Sequence, residues 1–107
     1  MSSFDKREEG FEKKFALDSE QKFKAEARRN KLLGLWAAEK LGMTGDDAAA
    51  YAKEVVAADF EEAGDQDVQN KVLKDFAAKG VAVTAAEVRV KMDELMGLAA
   101  AQVKAGT

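Results

Sequence analysis

The chain has 107 residues, 35% of them charged, a formal net charge of -3, and no cysteine, histidine or proline. That length suits one domain with a core of its own; the missing cysteine excludes disulfides and thiolate metal sites, and the missing histidine removes the commonest general base and metal ligand near neutral pH. Negative net charge argues against a general nucleic-acid binder, while the charged start Met1-Ser2-Ser3-Phe4-Asp5 and the lack of a long apolar run predict a cytoplasmic protein with neither secretory leader nor membrane span.

Alanine-rich and charge-rich stretches separated by single glycines, with no alternating Val/Ile/Thr runs, predict an all-α fold. The expected architecture is a four-helix bundle over residues 20–107, with helices near 20–41, 46–63, 66–79 and 85–104. It follows a flexible, partly helical segment over residues 1–19, where helical pattern starts near Ser3 and is interruptible at Gly10 or Ser19.

In that segment Phe4, Phe11 and Phe15 fall within about 40° of one another on a helical wheel, amid charges of both signs. Gly10 costs about 1 kcal/mol relative to alanine inside a helix, and isolated helices this short are marginal. The stripe is therefore expected to become helical when it meets a hydrophobic groove, either on a partner or on its own bundle.

The first bundle helix opens with a basic stretch, Lys22, Lys24, Arg28, Arg29 and Lys31. Leu32, Leu33, Leu35, Trp36, Ala37 and Ala38 then wrap nearly the whole circumference, which predicts burial all round, with Gly34 admitting a close neighbour and Gly42 stopping the helix. Thr44 and Asp47 signal the second helix, which should end at Gly64 and bury Ala49, Ala52, Val56 and Phe60. Asp59 lies towards that apolar side and needs a cation, expected from Arg28, Arg29 or Lys31.

Asp65 is expected to cap the third helix, which buries Val68, Val72, Leu73 and Phe76 before Gly80. Thr84-Ala-Ala-Glu87 is a capping box for the fourth, with Val83 stapling onto Val88. Its stripe is Val88, Met92, Leu95, Met96, Ala99 and Val103.

Two further signals carry chemistry. Arg28, Arg29 and Lys31 could clamp an anion, including an adenine nucleotide held weakly, although a solvated face paired with the acidic second helix is the simpler reading. Glu61, Glu62, Asp65 and Asp67 lack the spacing and glycine of a calcium loop, so no metal is expected there. With no glycine-rich phosphate loop, no catalytic role is expected and no cofactor is required.

The run Phe23-Lys-Ala-Glu-Ala-Arg-Arg-Asn-Lys-Leu-Leu-Gly-Leu-Trp36-Ala-Ala-Glu-Lys-Leu-Gly42, followed by Thr44-Gly-Asp-Asp47, Tyr51-Ala-Lys-Glu-Val-Val56 and Asp59-Phe-Glu-Glu-Ala-Gly-Asp65, strongly resembles the zeta subunit, the ATPase inhibitor of alphaproteobacterial F-type ATP synthases. Upstream, Phe4-Asp5, Arg7, Phe11-Glu12 and Lys14-Phe15-Ala16 resemble that family's inhibitory segment; the likeness weakens in the last helix.

The resemblance implies a four-helix bundle whose N-terminus becomes helical on entering a catalytic α/β interface of the F1 head beside γ, blocking rotation in the hydrolytic direction. Carried over, the contacts come from Phe4, Arg7, Phe11, Lys14 and Phe15, with Leu17 at the junction. The protein is expected to be a monomer when free and peripheral to the inner membrane through the synthase. A histidine switch cannot regulate it. The alternative is a helical module that senses adenine nucleotide or another anion through residues 22–31.

Overall fold

The computed structural model describes residues 17–58 and 65–106. They form four helices, α1 (Ser19–Lys40), α2 (Gly45–Ala58), α3 (Gln66–Ala78) and α4 (Ala85–Lys104), with no strand among the described residues. The all-α, four-helix expectation holds. The segment ahead of Leu17, the Asp59 ion pair, Phe60 and the expected stop at Gly64 lie outside the described residues.

Local chemistry sets the helix ends. Asp18 is extended and accepts the Gln21 amide at 2.7 Å, while the Gln21 side chain accepts the Asp18 amide at 3.3 Å. This reciprocal box satisfies donors that a helix start leaves orphaned. Gly42, at φ 80°, turns the chain out of α1. The Thr84 hydroxyl accepts the Glu87 amide at 3.1 Å, the Thr84 half of the expected capping box. Asp65 departs from expectation: it sits at the start of α3 but makes no side-chain cap bond, because its carboxylate reaches across the bundle to two arginines.

The long helices α1 and α4 run antiparallel, since Arg28 meets Gln102 while Trp36 lies beneath Lys91. Helix α2 packs on α1 through Gly34, where an added Cβ would lie 2.6 Å from the Ala52 Cα. Only a glycine permits so close a backbone. The core gathers Leu33, Ala37 and Ala38 of α1, Tyr51 and Val55 of α2, Val68, Val72 and Phe76 of α3, and Val88 and Met92 of α4. The Trp36 ring meets Phe76 edge-on at 5.8 Å.

Two burial expectations are corrected. The apolar run of α1 is not enclosed, for Leu35 is 37% exposed and Leu32 and Trp36 are half-buried. Helices α2 and α4 flank α1 and α3 barely touches it, so one side faces solvent. On α2 the buried residues are Tyr51, Ala52 and Val55, while Ala49 is exposed and Val56 half-buried. The helix turns about 100° from the expected face, because burying the Tyr51 ring removes far more apolar area than burying the Ala49 methyl. The α3 stripe is buried as expected, apart from half-buried Leu73. On α4, Val88, Met92 and Ala99 are buried and Leu95, Met96 and Val103 half-buried.

Candidate functional site

Of the six expected partner contacts, Phe4, Arg7, Phe11, Lys14 and Phe15 lie outside the described residues. Leu17 is described and half-buried, immediately ahead of the Asp18 cap. Since α1 supplies its own cap from Asp18 and Gln21, its first turn does not need side chains further upstream.

The basic stretch of α1 divides between two environments. Arg29 lies four residues from both Ala25 and Leu33, which are fully buried, and is itself only 7% exposed. Its Nη1 reaches Asp65 Oδ2 at 3.4 Å, and Arg89 Nη1 of α4 reaches the same oxygen at 2.9 Å. Arg89 also donates to Gln69 of α3. The Arg29 Nε donates to the neighbouring Asn30 Oδ1 at 3.0 Å, while the buried Asn30 Nδ2 has no partner.

One carboxylate thus ties α1, α3 and α4 together. The Arg89 hydrogen bond, followed by the charges of Arg89 and Arg29, outweighs burial and holds the Asp65 carboxyl below the usual carboxylate range. Sequence reasoning assigned Asp65 a cap and missed this role. The available signal was Arg29 on the buried stripe of α1, which demands an anion; its identity depends on how α3 docks.

Arg29 therefore does not share a surface with Arg28 and Lys31. Those two instead line an open groove of 640 Å³ together with Lys24. Its apolar lining comes from Phe23 and Ala27 of α1, Val56 of α2 and Val103 of α4. Arg28 Nη1 approaches Gln102 at 3.4 Å, and Lys24 pairs with Glu20 at 3.2 Å on the exposed helix surface. Phe23 is 63% exposed, the feature of this face that the sequence reading overlooked.

A second polar cluster joins α2 to α3. The Tyr51 hydroxyl donates to Asp75 Oδ2 at 2.7 Å, and Lys71 Nζ reaches the same oxygen at 2.9 Å while lying 5.1 Å above the Tyr51 ring. Burial first, then the Asp75 hydrogen bond, pushes the Tyr51 hydroxyl well above its ordinary value. For Asp75, burial opposes ionisation, but hydrogen bonds from Tyr51 and Lys71 prevail and lower its carboxyl. Tyr51 thus remains a protonated donor at neutral pH, and the cluster acts as a polar joint between helices.

The family model described as ATPase inhibitor subunit zeta matches residues 1–102. Four chains of solved structures match, among them a solution NMR structure that is 59% identical, with TM-score 0.70, over 79% of this chain and 96% of that one. No curated protein sequence matches.

Proposed function

The chain belongs to the ATPase inhibitor subunit zeta family, and from that premise we propose that residues 1–17 are the element that stops ATP hydrolysis by the F1 head, with the helical bundle as their carrier. The observation that carries this reading is the span of the family match, which begins at residue 1 and so takes in the Phe stripe as well as the bundle. A segment that served only as a tail would not need three aromatic residues on one helical face.

The segment enters a catalytic α/β interface beside γ and folds there as an amphipathic helix. Phe4, Phe11, Phe15 and Leu17 anchor it by filling apolar pockets, while Arg7 and Lys14 set its register through charge pairs. A helix wedged between subunits that must separate opposes rotation without any chemistry of its own. The protein is regulatory, requires no cofactor, is monomeric when free, and lies in the cytoplasm at the membrane only through the synthase. The nucleotide-sensing alternative is weakened by Arg29, whose guanidinium is committed to Asp65 rather than facing Arg28 and Lys31.

The test is a titration of F1, stripped of its own inhibitor, with the full chain and with a version lacking Met1–Leu17. Saturable inhibition by the first and none by the second is expected. Equal inhibition by both would overturn the assignment of the segment, and none by either would overturn the inhibitory reading.

A further inference from the structure

The geometry points to the groove between α1, α2 and α4 as a second docking site on the F1 head, one that receives an acidic amphipathic helix of the catalytic subunits. This rests on the inhibitory reading above and names a second contact for the same complex.

Charge is the first argument. The chain carries a net charge of -3, yet the described lining of this groove holds Lys24, Arg28 and Lys31 and no carboxylate. Glu20 pairs with Lys24 where both are well exposed, and such surface pairs exchange partners at little cost.

Spacing is the second. The three cations stand at i, i+4 and i+7 along one face of α1, spread over about 10 Å of helix. They are strung out rather than converging, and the groove they edge is also lined by Phe23, Ala27, Val56 and Val103. A phosphate needs donors that converge on one point; a helix carrying acids at the same spacing beside an aliphatic stripe satisfies both the cations and the apolar lining. Phe23, 63% exposed among charged neighbours, adds nothing to the core and has the character of an interface anchor.

Continuity is the third. Helix α1 begins at Ser19, and the groove starts within its first turn at Gln21, directly after the inserting segment. Engagement at either site raises the effective concentration of the other.

The experiment uses the full chain with Lys24→Glu and Lys31→Glu together, both side chains being exposed, in the same F1 titration at several salt concentrations. The expected result is at least about a tenfold rise in the half-inhibiting concentration and a flattened salt dependence, with the thermal midpoint preserved. Phe23→Ser should weaken inhibition in the same direction while retaining the salt dependence. A photocrosslinker at position 31 should attach to an acidic helix of an α or β subunit.

Unchanged inhibition and salt dependence in the double variant, while removal of Met1–Leu17 still abolishes inhibition, would overturn the groove and leave the inhibitory reading intact. Crosslinking confined to the chain's own residues 1–16, or protection of both lysines by ADP alone but not by F1, would overturn it in favour of self-docking or a small-anion site. Failure of the unmodified chain to inhibit at all would overturn both.

Discussion

The two halves of α1 belong to one uninterrupted helix and are built for different ends. In residues 32–40 the sequence is largely apolar, and Leu33, Gly34, Ala37 and Ala38 are buried against neighbouring helices. In residues 19–31 only Ala25, Arg29 and Asn30 are buried, and polar links there reach Asp65 from Arg29 and Gln102 from Arg28. The second half holds the bundle by close packing. The first, joined to the bundle largely through the polar links of Arg28 and Arg29, leaves Phe23, Lys24 and Lys31 facing outward. Apolar content alone does not separate these roles, since Leu35 is part-exposed in the packed half and Phe23 more so in the other.

The division is tested most severely by removing Met1–Leu17. Inhibition should fall by at least about 100-fold, the scale of losing several anchoring residues, while thermal unfolding shifts little because the cap on α1 is retained. A collapse of the bundle would show that the first half of α1 depends on the upstream segment after all.

Next in size is Gly34→Ala in the packed half. The new Cβ would stand 2.6 Å from the Ala52 backbone, so α1 and α2 must part. Overpacking of this kind costs about 1–3 kcal/mol, partly offset by about 1 kcal/mol of helix propensity. Urea denaturation should show net destabilisation; an unchanged midpoint would mean that the two helices separate without penalty.

Asp65→Asn probes the ionic half, leaving the Arg29 and Arg89 guanidinium groups together without their shared anion. A loss of about 1–3 kcal/mol at neutral pH is expected. The pH dependence has a definite sign. The folded-state carboxyls of Asp65 and Asp75 are lowered, so their contribution is fully present above the unfolded value near about 3.9 and is lost as pH falls through the folded values. Stability should decline on acidification below about pH 4, and less steeply in the Asp65→Asn protein. An identical acid slope would remove Asp65 as a stabilising ion.

The smallest effect has the opposite sign. Gly97 of α4 has nothing within 4 Å of where a Cβ would stand, so Gly97→Ala should stabilise by roughly 0.5–1 kcal/mol. Set beside Gly34→Ala in the same denaturation assay, it separates a glycine required by packing from one that is only tolerated.

Much of the fold was legible because local signals are strong in a chain of this kind. Gly42, Thr84 and the α3 stripe each act through the backbone or through helical periodicity, and they fall where the sequence places them. The Asp18–Gln21 box was equally local and was overlooked. Of the candidate site, the Phe stripe is a sequence pattern that lies outside the described residues, and the split of the basic stretch was not legible. Arg28 and Arg29 are adjacent in sequence, but successive helical residues diverge by about 100°, and one points to the groove while the other points inward.

By itself the sequence determined that this is an all-helical chain without thiol or imidazole chemistry, that Gly42 ends α1 and Thr84 starts α4, and the family to which it belongs, since these depend on composition, short-range periodicity and motif. Only the tertiary structure decided which side of α1 stays wet, that Tyr51 rather than Ala49 faces the core, and that Asp65 binds two arginines instead of capping its own helix. Those outcomes follow from competition between distant groups for the same space and the same charge, and no local pattern records which competitor wins.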